Sequence, residues 1–118
     1  VDTERLARCL RSDTYVFPNL RAIEIIQDRL TQKALLDQHG IATSPWAQVD
    51  SEASLQNAAS KFTKGFVLKQ RRFGYDGYGT FVFKNPKSLD FSVLQKSRFG
   101  FIAEKFIGFK RELALSFV

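Results

Sequence analysis

An α+β fold, with helices first and then an antiparallel sheet carrying a glycine-rich hairpin, is predicted by three features of these 118 residues. Apolar residues recur at helical spacing through the first half. Short runs rich in Phe, Val and Leu take over after Gly65. Turn residues join those runs closely enough for antiparallel pairing.

Taken in order, Asp2 or Thr3 caps a short helix to about Arg11, with Leu6, Cys9 and Leu10 on one side and Cys9 read as a small buried group. Residues 14–17 read as extended, and Pro18-Asn19 turns the chain. Asn19 caps a helix holding Ala22, Ile23, Ile25 and Ile26. Asp28 starts a fresh helix that runs to His39, with Gly40 at its C′ position. A loop over 41–45 leads to a strand at 46–49. Asp50-Ser51 then caps a helix over 52–62 whose inward stripe is Leu55, Ala58, Ala59 and Phe62. Strands are expected at 66–70 and 80–84, flanking the glycine-rich stretch 73–79. A turn at Asn85-Pro86, a short helix over 88–95, a third strand at 101–105 and a fourth at 112–118 complete the chain. Phe101, Phe106, Phe109 and Phe117 read as core residues rather than as a base-stacking platform.

Composition narrows the class. With 44% hydrophobic residues the chain can bury a core, and no apolar run is long enough for a membrane-spanning helix. One cysteine excludes an internal disulfide and fits a reducing, cytoplasmic setting. The absence of methionine and the apolar run at 113–118 read as signs of a piece cut from a longer polypeptide. Charge is uneven: residues 1–60 hold six basic and eight acidic groups, residues 61–118 twelve and four. The second half therefore carries all of the positive excess, which suits a polyanion, whether nucleic acid or the phosphates of a nucleotide.

The glycines bear on that choice. Gly74-Tyr75-Asp76-Gly77-Tyr78-Gly79 sets three glycines between two apolar strands. Such a loop leaves backbone N–H groups free to face an anion, and Lys69 at the end of the preceding strand can bring an ammonium group to it. A tight hairpin needing only backbone freedom is the other reading of the loop alone. A Walker A loop is excluded because Thr80, not Lys, follows Gly79. The kinase order is reversed here, and the dinucleotide spacing with its following helix is absent.

Strand lysine, glycine hairpin and a later strand ending in Glu104 together resemble the ATP-grasp fold. Ile26-Gln27-Asp28-Arg29-Leu30-Thr31-Gln32-Lys33, Thr43-Ser44-Pro45-Trp46, Val67-Leu68-Lys69, the Gly-Tyr-Asp-Gly loop and Glu112-Leu113 resemble, within it, the 5-(carboxyamino)imidazole ribonucleotide synthetases, the ATPase subunits of phosphoribosylaminoimidazole carboxylase. The resemblance implies an ATP-dependent ligase of purine biosynthesis that joins bicarbonate to aminoimidazole ribonucleotide. It implies ATP and Mg2+ as cofactors, no nucleic-acid or membrane partner, and a homodimer as the full-length protein.

By the same resemblance, Arg29 and Lys69 would bind ATP, and Gly74, Tyr75, Asp76, Gly77, Tyr78, Gly79 and Thr80 would form a lid over its phosphates. Glu104, Lys105, Phe106 and Ile107 would be a hinge whose backbone pairs with adenine, and Glu112 would accept hydrogen bonds from the ribose hydroxyls. The position of Tyr78 is often basic in the family, which would pass one phosphate contact to Arg71 or Arg72. Residues 1–19 would be the tail of a substrate-binding domain, 20–45 connecting helices, 46–104 the lid subdomain, and 105–118 the hinge and start of the large subdomain. Magnesium ligands and any catalytic residue would lie outside the chain, leaving it inactive alone. A sister ATP-grasp ligase, and more remotely a basic nucleic-acid-binding module, are the alternatives.

Overall fold

In the computed structural model, residues 3–74 and 78–116 are described. The elements follow the predicted order: α1 (Thr3–Cys9), α2 (Leu20–Gln27), α3 (Arg29–Gln38), β1 (Trp46–Val49), α4 (Glu52–Lys61), β2 (Phe66–Gln70), β3 (Thr80–Phe83), a short 3-10 helix (Phe91–Lys96) and β4 (Phe101–Lys105). The strands form one antiparallel sheet in the order β1-β4-β2-β3.

Local chemistry sets the boundaries. Asn19 Oδ1 accepts the Ala22 N–H at 2.9 Å and opens α2. One residue past α2, the chain extends at Asp28, whose carboxylate accepts the Leu30 N–H at 2.9 Å and starts α3. Gly40, with φ of 66°, takes the left-handed conformation just beyond α3. Ser51 and Ser54 close a reciprocal capping box on α4.

The pleat divides the sheet into two faces. Phe66 and Leu68 of β2 and Phe101 and Ala103 of β4 point to one side, where Val49, Leu55, Ala58, Phe62 and Val93 complete a buried cluster. α4 covers that side, and the Phe66 and Phe83 rings stack 4.9 Å apart at its edge. Fully burying each such side chain contributes about 1.5–3 kcal/mol. Ile102 is equally buried but faces the other side, toward α3.

A second tie joins the helices to the sheet. Arg71, just past β2, donates from Nε and Nη2 to the two oxygens of Asp28, the first at 3.0 Å, while the Arg29 N–H donates to the Arg71 carbonyl at 3.0 Å. Burial works to raise the Asp28 pKa. The Arg71 hydrogen bonds, the Leu30 N–H and the charges of Arg71 and Arg72 outweigh it and hold the carboxyl below its ordinary value.

Residues 14–17 lie outside helix and ladder, and Tyr15 and Phe17 there are fully exposed. Three expectations are corrected. Residues 112–116 form no strand: a strand needs a neighbour for its N–H and C=O groups, and none of the sheet's ladders reaches that segment. Phe109 is exposed rather than in the core, because the chain leaves the sheet after Lys105. Cys9 is exposed, with only Thr3 of α1 buried. Phe117, also expected in the core, lies outside the described residues, as do Asp2 and the last two positions of the fourth predicted strand.

Asp28→Asn keeps a capping oxygen but removes the charge facing Arg71. Urea unfolding at neutral pH is expected to show a loss of about 2 kcal/mol. A depressed carboxylate stabilises above its unfolded pKa, and that contribution fades as pH falls through the folded value. The wild type should therefore lose its advantage over the variant below about pH 4.

Candidate functional site

On the face of the sheet opposite the cluster, the register sets Val67 across from Glu104 and Lys69 across from Ile102, so Lys69 and Glu104 are diagonal neighbours. Lys69 Nζ meets Glu104 Oε2 at 3.0 Å. Ser44 Oγ donates to the same oxygen at 3.0 Å, and Lys33 Nζ of α3 lies 3.7 Å from Oε1. Lys33 also donates to Ser44 Oγ at 3.0 Å, which closes the network. The Lys33 and Glu104 side chains are each only 13% exposed. Burial of Glu104 works to raise its pKa. The Lys69 hydrogen bond and charge, the Lys33 charge and the Ser44 hydroxyl prevail and hold it below the usual glutamate range.

This network opens onto a cleft of about 230 Å³ lined by Ser44, Val67, Lys69, Glu104 and Lys105, with Phe106, Ile107 and Phe109 beyond them. Five residues singled out from the sequence thus come together here: Lys69, Glu104, Lys105, Phe106 and Ile107. The backbone after β4 is partly committed, since the Lys105 N–H donates to the Pro45 carbonyl at 2.8 Å and the Phe106 N–H to Gly65 at 3.0 Å. The cleft combines an ammonium group, a largely buried carboxylate and apolar walls, which suits a ligand with a flat apolar part and an anionic part.

The glycine hairpin is built on the neighbouring strands. Gly74 and Gly79 are both buried and face each other across its neck, and a Cβ on Gly79 would stand 2.8 Å from the Gly74 Cα. Gly79 also accepts the Gln70 N–H at 2.8 Å, so the neck continues the β2–β3 ladder. Thr80 pairs with Lys69 in that ladder, and Tyr78 is 84% exposed. Tyr75, Asp76 and Gly77 lie outside the described residues.

Arg29 does not line the cleft. Its Nε donates to the Gln70 carbonyl at 3.1 Å and its Nη2 reaches the Gly74 carbonyl at 3.4 Å, so it braces the hairpin's base. Glu112 sits on an exposed, irregular segment and does not line the cleft either. Arg71, expected as a substitute phosphate contact, is engaged by Asp28 instead. Lys33 and Ser44 are the members that sequence reasoning missed. Both lie in stretches that carry the resemblance, and Lys33 falls one helical turn from Arg29, on the same face of α3. Among the described residues no three of His, Cys, Asp and Glu gather where they could hold a metal ion.

For this sheet, with its glycine hairpin, strand lysine and largely buried acid, the model of the ATP-grasp domain matches residues 34–118. The chain belongs to the ATP-grasp domain family. N5-carboxyaminoimidazole ribonucleotide synthase of Brucella melitensis is 37% identical over 113 residues, which cover 90% of this chain and 30% of that protein. Two crystal structures superimpose with a TM-score of 0.79 over 93% of this chain and 29% of theirs. They are carboxyaminoimidazole ribonucleotide synthase of Aspergillus clavatus complexed with ATP, 26% identical, and N5-carboxyaminoimidazole synthetase of Staphylococcus aureus complexed with ADP, 27% identical. The resemblance read from the sequence and the α+β fold class are borne out. The chain spans less than a third of the length of these relatives.

Two measurements test the geometry. In Gly79→Ala the new methyl group meets Gly74 backbone, which has no rotamer to yield, so amide exchange over residues 70–80 should accelerate about tenfold or more. Unchanged exchange would contradict the tight neck. The Glu104 carboxyl, followed by carbon-13 NMR, should titrate below an ordinary glutamate, and Lys69→Met should move its midpoint upward.

Proposed function

We propose that this chain is the ATP-binding part of an ATP-dependent ligase that carboxylates aminoimidazole ribonucleotide with bicarbonate, releasing ADP and phosphate. The observation that carries the reading is the Lys69–Glu104 pair in a cleft beside a glycine hairpin, in a chain whose relatives bear the name of that enzyme. Residues 1–19 then form the tail of a substrate-binding domain, 20–45 connecting helices, 46–104 the lid subdomain, and 105–118 the hinge and first part of the large subdomain.

In this reading Lys69 turns from Glu104 toward the nucleotide phosphates, and Glu104, still held by Lys33 and Ser44, keeps the ammonium group at the cleft. Gly74, Tyr75, Asp76, Gly77, Tyr78, Gly79 and Thr80 close over the phosphates, with Arg29 fixing the base of that lid. Adenine lies against the segment Glu104 to Ile107. Because the Lys105 and Phe106 N–H groups are spent on Pro45 and Gly65, Ile107 supplies the donor. Glu112 receives the ribose hydroxyls.

The γ-phosphoryl group passes from ATP to a bicarbonate oxygen, giving ADP and carboxyphosphate. The amine of the ribonucleotide then attacks the activated carbon and expels phosphate. The chain's own part is electrostatic and steric: Lys69 offsets phosphate charge, and the lid keeps water from a labile intermediate. Mg2+ would be held by residues outside this stretch and would supply further neutralisation of the phosphate charge. No helix among the described residues is long and apolar enough to cross a membrane. A homodimeric, cytoplasmic full-length enzyme belongs to the same proposal.

The test is ADP release from Mg-ATP by the full-length protein, with and without bicarbonate and aminoimidazole ribonucleotide. Release that requires both is the expected result, and Lys69→Met should lower kcat/KM for ATP about a hundredfold. Release with a different acid or amine would move the protein to a sister ligase. No turnover with any acceptor would sink the reading.

A further inference from the structure

The network around Glu104 holds two ammonium groups for one carboxylate, and the two are not equivalent. The Lys69 side chain is 29% exposed and lines the cleft, whereas that of Lys33 is 13% exposed and does not. Lys69 is therefore the one that can turn to an anion in the cleft. Lys33 is tethered away from it, donating to the Ser44 hydroxyl at 3.0 Å with its Nζ 3.7 Å from Glu104 Oε1. Closing that last gap by about half an ångström makes it a charge-assisted hydrogen bond.

What becomes of Glu104 once Lys69 has turned away decides how well an anion binds. A largely buried carboxylate stripped of its cations takes up a proton rather than staying charged. The charges that act on Glu104 are those of Lys69 on β2 and Lys33 on α3. Val67, opposite it on β2, is apolar, and Trp46, opposite it on β1, directs its indole N–H to Asp37 of α3 at 2.9 Å. The side chain of Lys105, the next residue of β4, leaves the strand on the opposite face. With Lys69 turned away, Lys33 is the cation left at the acid among the described residues, and Ser44 keeps its hydrogen bond to Oε2.

We propose that Lys33 is a positioning residue for the nucleotide: it takes over the Glu104 carboxylate when Lys69 turns to the phosphates, so that binding takes up no proton at this acid. The inference rests on the reading of the cleft as a nucleotide site and gives a role to a residue that does not line it. An uncharged side chain at position 33 would leave Glu104 to protonate as the nucleotide binds. The bound form would then hold one proton more than the free form, so affinity would rise as pH falls.

The test is calorimetry of Mg-ADP binding to the full-length protein at about pH 7, in two buffers of different ionisation enthalpy. Wild type and Lys33→Arg should exchange the same number of protons. Lys33→Met should take up between about half and one proton more, and relative to wild type its Kd should be about tenfold weaker near pH 8 than near pH 6.5. Adding Glu104→Gln to Lys33→Met should abolish the extra proton. A merely structural role for Lys33 would weaken binding equally at both pH values with no extra proton, and that result would overturn the proposal alone. Should Lys33→Met fail to fold, NMR of the wild type saturated with Mg-ADP decides: the Glu104 carboxyl should stay ionised at about pH 6.5 while the Lys33 ammonium nitrogen-15 signal moves. Protonation of Glu104, or a Lys33 signal that stays fixed, would overturn it. A wild type that does not bind Mg-ADP would sink the nucleotide reading as well.

Discussion

A carboxylate held between two ammonium groups is the constraint on which the rest of this structure turns. Glu104 sits on a sheet face beside a fully buried Ile102, where an unpaired charge would not be tolerated. Its oxygens are met by Lys69 from β2, Lys33 from α3 and Ser44 from the loop before β1. Those three come from separate parts of the chain, so the acid fixes how α3 and the 41–45 loop lie on the sheet. The same arrangement keeps an ammonium group poised at the mouth of a cleft.

A companion clasp works one layer away. Asp28 both caps α3 and grips Arg71, while Arg29, the next residue, holds the hairpin's base through the Gln70 and Gly74 carbonyls. One short dipeptide thus starts a helix, binds it to the sheet and steadies the glycine neck. The two arginines after β2 divide their work: Arg71 is spent on structure, whereas Arg72 is stacked between aromatic rings with a donor still to satisfy.

How much was legible in the sequence follows from the range of each interaction. The caps at Asn19, Asp28 and Ser51, the glycine after α3 and the β2–β3 hairpin are local signals, and the structure follows them. The α4 stripe of Leu55, Ala58, Ala59 and Phe62 was equally readable from its spacing. Lys33 and Ser44 were not, because their importance arises only when α3 and a loop meet Glu104, which lies 60 residues beyond Ser44. The strand read at 112–118 shows the converse error. Its alternation is real, but among the described residues, 112–116 have no strand to pair with, and pattern alone does not supply one. Arg29 was read as a nucleotide contact from the resemblance, while its position at the hairpin's base depends on carbonyls more than 40 residues away.

The sheet order β1-β4-β2-β3 also carries a consequence for assembly in time. The strand of this sheet that comes latest in sequence is not an edge: β4 slots between β1 and β2, which have no ladder to each other until it arrives. Only the β2–β3 hairpin is local enough to form early. On a ribosome delivering the chain from its amino end, β1 must wait without a ladder partner, with α4 alone to pack on, until residues 101–105 emerge. Docking of β4 joins the two halves of the four-stranded sheet and brings the acid to its lysines in one event, so the charge network and the sheet share a single moment of assembly.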